Sequence, residues 1–370
     1  MCELKRSLYG LKVSPKRWYL RFTEVMKNMM FEIYPFQSTL FIWREREKFA
    51  ILLLYVDDIL LTSNCETKME EIKNELLKEF ELSDLGEPKK FLGIEITKGE
   101  NGSYLLHQHR FIETVLNRFG MNNAKAKQNC TPMITNDSAS KAESDIKLKR
   151  SNLKEIPYRQ AIGSLLYLSN GTRPDITYAV NVLSRKQSNF NQEDWAKVKR
   201  VLRYLNNTKQ YGLSIKGCGE GITCYPDASL GISDEKGEST SGYAIFLFGD
   251  LISWRTKKQI HVSLSSAEAE FVAMSLACRE LANVSEMSKR LVKTKIVPIV
   301  YEDNKAATEE STTLKHLVNL CYHYVRFEAR CNSIKIEWIR SDEQIGDFFT
   351  KALANPKFKY FRSKLMGRIH

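Results

Sequence analysis

Two aspartates interrupt the most hydrophobic stretch of this 370-residue chain: Phe49-Ala-Ile-Leu-Leu-Leu-Tyr55-Val56-Asp57-Asp58-Ile-Leu-Leu-Thr62. An apolar run on each side predicts two strands of a hairpin with Asp57 and Asp58 at its tip. Adjacent carboxylates repel, and burying them unpaired costs several kcal/mol. They are therefore either solvated or neutralised by cations. One reading is an exposed turn, since Asp is common in turns. The other is a divalent-metal site, because tight hairpin turns favour Asn-Gly or Asp-Gly over Asp-Asp. The spacing alone leaves both open.

The elements around this pair alternate helices and strands. Trp18–Met29 predicts a helix, as does the charged segment Glu66–Phe80, with Met69, Ile72, Leu76 and Leu77 at helical spacing. Phe111–Phe119 predicts a short helix ended by Gly120. Residues 136–152 are polar and predict a linker. Gln160–Thr208 is largely helical and punctuated by Pro174. Within it, Asp194–Asn207 carries Lys197, Lys199, Arg200 and Arg203 around Trp195 and Tyr204. A basic, aromatic-bearing helix suits a nucleic-acid channel, or equally a solvated face with a packed Trp. From Ile222 the pattern becomes strand-like: Ile222–Tyr225, Tyr243–Phe248 and Leu251–Arg255. A long helix follows over Ser266–Val292, then strands at Ile299–Tyr301 and Ile334–Ile339 and a last helix from about Glu343. The order predicts an α/β (α+β) architecture, a mixed sheet with helices packed on its faces.

The totals bound the function. A length of 370 residues suits two or three domains. Hydrophobic content of 43% is enough for real cores, and a net charge of +12 favours a polyanionic partner, nucleic acid or an anionic surface. No stretch approaches the ~18–20 apolar residues of a membrane span, and the N-terminus lacks a secretory apolar region. The eight cysteines are scattered without a C-x-x-C pair. Reduced thiols in an intracellular protein, cytoplasmic or nuclear, is the expectation.

The wording around the acids is more specific. Tyr55-Val56-Asp57-Asp58 resembles the catalytic box of a reverse transcriptase. Leu4-Lys-Arg-Ser-Leu-Tyr-Gly-Leu-Lys12 and Pro15-Lys-Arg-Trp-Tyr19 precede it, and Asp84-Leu-Gly-Glu87 and Phe91-Leu-Gly-Ile-Glu-Ile96 follow. This order is similar to the polymerase of copia-type retrotransposon Pol polyproteins. The likeness continues through Ala161–Leu168, Thr172-Arg-Pro-Asp-Ile176, Leu202-Arg-Tyr-Leu205, Ser239-Thr-Ser-Gly-Tyr243 and Leu264-Ser-Ser-Ala-Glu-Ala-Glu-Phe271. It implies a partial reverse-transcriptase palm and thumb over 1–135, the polar linker over 136–156 and a helical connection over 157–217. A ribonuclease H-like domain over 218–354 and a C-terminal tail over 355–370 complete the expected organisation. Asp57 and Asp58 would be polymerase metal ligands. Lys12, Lys16, Arg17, Trp18, Lys197, Arg200 and Arg203 would contact nucleic acid.

The ribonuclease H likeness implies a second metal centre. Asp227 ends the first strand of that region, Glu270 sits early in the long helix, Asp303 ends the fourth strand and Asp347 sits in the last helix. These four carboxylates would hold two Mg²⁺ ions, with Mn²⁺ as substitute. One ion would orient the attacking water and the other stabilise the leaving oxygen. Glu268 fits a capping box with Ser265, which leaves Glu270 for the metal. Glu302 is expected to face away from Asp303 by strand alternation. His316 and His323 carry no assigned role. The resemblance also places a third polymerase aspartate on a strand ahead of Met1, the only earlier acid being Glu3, and Val13 stands where the family usually has Gln. Polymer synthesis by this chain alone is therefore not expected. The expected activity is two-metal hydrolysis of the RNA strand of RNA/DNA hybrids. The alternative is a catalytically dead, transposon-derived remnant that at most binds nucleic acid, and the rest of a Pol polyprotein is a further expected partner.

Overall fold

A computed structural model describes residues 8, 10–122, 130–135, 155–231, 237–292, 296–308 and 320–369. The chain forms two compact units, Met1–Leu92 and Gly93–His370. Most of the polar linker read at 136–156, and His316, lie outside the described residues.

In the first unit, helix Ser14–Asn28 is followed by strands β1 (Glu32–Ile33), β2 (Leu40–Glu45), β3 (Lys48–Tyr55) and β4 (Asp58–Ser63), then helix Glu66–Glu79 and a short β5 (Lys90–Phe91). The sheet order is β1-β2-β3-β4, antiparallel throughout. Along β3 every second residue is buried, so Ala50, Leu52 and Leu54 form one apolar face. That face packs with Phe22 and Met26 of the first helix and Ile72 and Leu76 of the second. The hairpin anticipated at Asp57-Asp58 is present, with Tyr55 paired to Asp58.

The second unit holds two sheets. Strands β6 (Ile94–Lys98), β7 (Tyr104–His107) and β8 (Tyr211–Ile215) pair antiparallel, and the last strand of the chain, β14 (Gly367–Arg368), adds to β8. The larger sheet contains β9 (Ile222–Ser229), β10 (Thr240–Leu247), β11 (Asp250–Lys258), β12 (Ile299–Glu302) and β13 (Lys335–Trp338) in the order β11-β10-β9-β12-β13. The first three are antiparallel, whereas β12 runs parallel to β9 and to β13. A meander followed by parallel crossover strands is the topology expected of the ribonuclease H fold.

Helix Ser266–Val292 covers one face, placing Phe271, Met274, Ala277, Cys278 and Leu281 against Ile222, Cys224, Ile245 and Val300. The opposite face, with Ala244 and Phe246, shares a core with helices Tyr158–Gly171, Thr177–Ser184 and Gln192–Asn207. The helical segment and the sheet therefore belong to one compact unit. Within it the Arg173 guanidinium, fully buried, makes a bidentate pair with Asp175 at 2.9 and 2.7 Å and donates to Thr208. Tyr204 Oη donates to Asp175 at 2.6 Å, and Arg362 donates to Tyr204 Oη at 3.0 Å.

Two expectations for the C-terminal region are corrected. The helix read from Glu343 is a 3₁₀ turn, Ile345–Phe349, that carries Asp347. Its Gly346 lies against β9, where an added Cβ would come within 2.6 Å of Asp227 Cβ. The turn thus hugs the strand end more closely than an α-helix with side chains would. The segment read as a tail, 355–370, contains helix Asn355–Leu365, with Phe358, Phe361 and Leu365 buried in the core shared with the helical segment. Three apolar residues among six charged or polar ones were too weak a pattern to announce that packing.

Candidate metal centre

At the hairpin tip of the first unit, Val56 and Asp57 form the loop between paired Tyr55 and Asp58. Val56 takes φ of 53°, the left-handed region that β-branched residues avoid. Its carbonyl accepts a 2.7 Å hydrogen bond from Trp18 Nε1, and the Trp18 ring packs on Phe22 and Phe80. Trp18, expected on a nucleic-acid surface, therefore braces the turn through its indole. Asp57 and Asp58 are exposed. Among the described residues no third acid joins them in a metal-competent group. Lys12, Lys16 and Arg17 are exposed at and near the start of the first helix.

In the second unit the carboxylates converge. Asp227 ends the buried part of β9, Asp303 follows β12, and Glu270 projects from the first turns of helix Ser266–Val292. One oxygen from each lies within 4.8 Å of the other two, close enough for a single hard cation to touch all three. Parallel pairing of β9 with β12 sets two of these acids side by side at the same sheet end. Half of the capping box read from the sequence is present, Ser265 Oγ accepting from Glu268 N at 3.1 Å, while the Glu268 carboxylate reaches one residue further back and accepts from Leu264 N at 2.7 Å. Glu268 is thereby occupied, and Glu270 points into the cluster with Oε2 buried and unpartnered.

The electrostatics are those of anions short of cations. Burial, the largest influence, pushes the Asp227 carboxyl up to about 6, although Lys351 opposes it. Burial and the charges of Asp227, Glu302 and Asp303 hold Glu270 well above the usual carboxylate range. Glu302 corrects the alternation argument. It does alternate with Tyr301, but it is fully buried on the side covered by the helix that carries Glu270. Asn304 N donates to its Oε1 at 3.1 Å, and its Oε2 has no partner. Burial, with the charges of Asp303 and Asp227, holds its carboxyl well above the usual carboxylate range, so it is coupled to the cluster and is not a bystander.

Asp347 stands apart from the other three. Its Oδ2 accepts from Lys357 Nζ at 2.6 Å, and its Oδ1 pairs with Lys351 Nζ, which lies 3.9 Å from Asp227 Oδ2. Thr350 Oγ1 also donates to Asp227 Oδ2. These three partners were not read from the sequence. The signal was available in the spacing: Lys351 lies four residues after Asp347, where an ion pair across one turn is expected.

The basic helix Gln192–Asn207 starts on a capping box between Asn191 and Asp194. Lys197 is exposed, and Arg203 is half-buried. Arg200 is half-buried too and donates to Thr131 Oγ1 at 3.1 Å. Tyr204 is fully buried, and Trp195 packs on the core beside Tyr158. The aromatic residues thus serve the interior, leaving cations alone for an outside partner. His323 is exposed on helix Leu320–Arg330. None of the seven described cysteines forms a disulfide. No helix among the described residues is long and apolar enough to cross a membrane.

Comparison with known proteins gives four similarities. Residues 1–135 match the family described as reverse transcriptase (RNA-dependent DNA polymerase). The chain is 33% identical over 368 residues to a retrovirus-related Pol polyprotein from transposon TNT 1-94 of Nicotiana tabacum, covering 97% of this chain and 28% of that protein. It is 31% identical over 282 residues to a transposon Ty5-1 protein of Saccharomyces cerevisiae, covering 75% of this chain and 89% of that protein. Among solved structures, LC11-RNase H1 in complex with an RNA/DNA hybrid aligns over 35% of this chain and 93% of its own, at 13% identity and a TM-score of 0.27. The chain thus spans little more than a quarter of the length of the tobacco polyprotein.

Proposed function

We propose that this chain, which belongs to the reverse-transcriptase family of copia-type retrotransposon Pol polyproteins, acts through its buried acid cluster as a divalent-metal nuclease on the RNA strand of RNA/DNA hybrids. The observation that carries the reading is the convergence of Asp227, Glu270 and Asp303, with the Glu270 Oε2 buried and unpartnered. Buried carboxylates crowded together are costly unless a cation joins them. Three hard oxygen donors fit Mg²⁺ or Mn²⁺. Once bound, such an ion activates water and neutralises charge on a phosphodiester.

The residues divide the remaining work. Asp227 and Glu270 supply buried negative charge from the strand and the helix. Asp303, half-buried on the loop after β12, supplies the ligand nearest to solvent, on the side open to a substrate. The capped start of helix Ser266–Val292 fixes where Glu270 can reach. Lys197, Arg203 and the basic excess of the chain would contact phosphates, positioning the duplex without reading bases. Binding of that kind weakens steeply with salt. The exposed Asp57-Asp58 tip has no part in this reaction.

The test is cleavage of a labelled RNA/DNA hybrid by the purified chain in Mg²⁺, then Mn²⁺, beside Asp303→Asn. Cutting of the RNA strand that the substitution abolishes is the expected result. A folded chain that leaves the hybrid intact in both metals would overturn the proposal and favour the remnant reading.

A further inference from the structure

The acid cluster is divided by an ammonium group. Asp227, Glu270 and Asp303 bring their oxygens together and leave Glu270 Oε2 unpartnered. Among the site's acids Lys351 Nζ makes ion pairs with two, pairing with Asp347 Oδ1 and lying 3.9 Å from Asp227 Oδ2. Lys357 Nζ holds the second Asp347 oxygen at 2.6 Å. Each oxygen of Asp347 therefore already faces a cation. The arrangement is also anchored. Gly346 presses the Ile345–Phe349 turn against β9, and Thr350, next to Lys351, donates to Asp227. Lys351 thus follows directly on the anchored turn that carries its partner acid.

We propose that Lys351 is a built-in cation that holds the Asp227–Asp347 position, so that this chain binds one divalent ion, on Asp227, Glu270 and Asp303, where four acids alone would bind two. The inference rests on the metal-site reading above. An ammonium and a divalent ion compete for the same two carboxylates, since both satisfy the charge and cannot share the space. Lys351 would be a positioning residue, steadying Asp227 and supplying positive charge beside the ion.

The experiment counts metal. Mn²⁺ binding to the full chain is measured by isothermal titration calorimetry and by the electron paramagnetic resonance of free Mn²⁺. The wild-type chain is compared with Lys351→Met, Lys351→Gln and Asp303→Asn, each shown to be folded by circular dichroism. One site is expected in the wild-type chain and two in either Lys351 variant. The second site should vanish when Asp347→Asn is added, and Asp303→Asn should weaken the first at least tenfold. Two sites in the wild-type chain, or one in both Lys351 variants, would overturn the role of Lys351 while leaving the metal centre standing. No site in the wild-type chain would overturn the metal reading itself. Should both Lys351 variants fail to fold, the wild-type count alone decides.

Discussion

The hairpin tip of the first unit and the acid cluster of the second both gather aspartates at strand ends, yet they put them in opposite environments. At the tip, Asp57 and Asp58 come from adjacent residues of one loop and stay in water. Solvent screens their repulsion, and nothing in their surroundings demands a cation. In the cluster, Asp227, Glu270 and Asp303 come from three elements separated by 76 residues of sequence. Tertiary packing forces them together in a largely buried setting, beside the fully buried Glu302 carboxyl. Carboxylates adjacent in sequence are thus a weaker sign of metal chemistry than carboxylates that the fold brings together at a cost. The cost shows in the raised proton affinity of Asp227 and Glu270.

The largest effect should come from Glu270→Gln. It removes charge from the converging site and is expected to lower hybrid cleavage at least about a hundredfold, given the several kcal/mol of charge stabilisation a bound ion supplies. The double variant Asp57→Asn/Asp58→Asn should leave cleavage within about twofold in the same gel assay. A large loss in the double variant would break the contrast between the two sites.

The buried ion-pair network of the second unit can be tested next. Arg173→Met leaves the buried Asp175 without its charge partner and should destabilise the second unit by about 3–5 kcal/mol in denaturant unfolding. A loss under about 1 kcal/mol would show that this network is dispensable.

The cost of crowding can be measured as pH dependence. Burial raises Asp227 to about 6, so its folded-state proton affinity exceeds its unfolded one. Its contribution to stability is then full below the unfolded value near 4 and is lost as pH rises through about 6. Without metal, Asp227→Asn should gain stability over the wild-type chain between pH 4 and pH 7, by about 2–3 kcal/mol at the top of that window. Mg²⁺ should erase part of the difference by stabilising the wild-type chain. Thermal melts at both pH values, with and without Mg²⁺, measure it. A difference that stays flat with pH would mean that Asp227 is ionised at no cost.

The smallest effect is expected at the tip. Val56→Gly relieves a left-handed backbone at an exposed position and should stabilise the first unit by about 1 kcal/mol. A loss of stability would show that the Val56 side chain contributes packing that its exposure does not suggest.

Local pattern was enough for much of this molecule. The hairpin at Asp57-Asp58 follows from apolar runs on either side of two charged residues. Helix Ser266–Val292 carries its own start signal in Ser265 and Glu268 and its own apolar stripe, and its bounds match those read from the sequence. The Asp227, Glu270 and Asp303 positions stood out because each sits at an element end within a motif. Pairings that depend on distant partners were beyond such a reading. Whether Asp347 faces a metal or a lysine depends on how the Ile345–Phe349 turn lies on β9. Gly346 decides that by allowing contact too close for a side chain. Glu302 shows the same limit, since alternation gives the direction of a side chain but not what lies there. The sequence by itself therefore determined the elements, the family wording and the acids available, because these are set by neighbours along the chain. Only the tertiary structure decided which acids share an oxygen-lined site and which are already neutralised. Burial and Coulomb interaction act between residues that only packing makes neighbours.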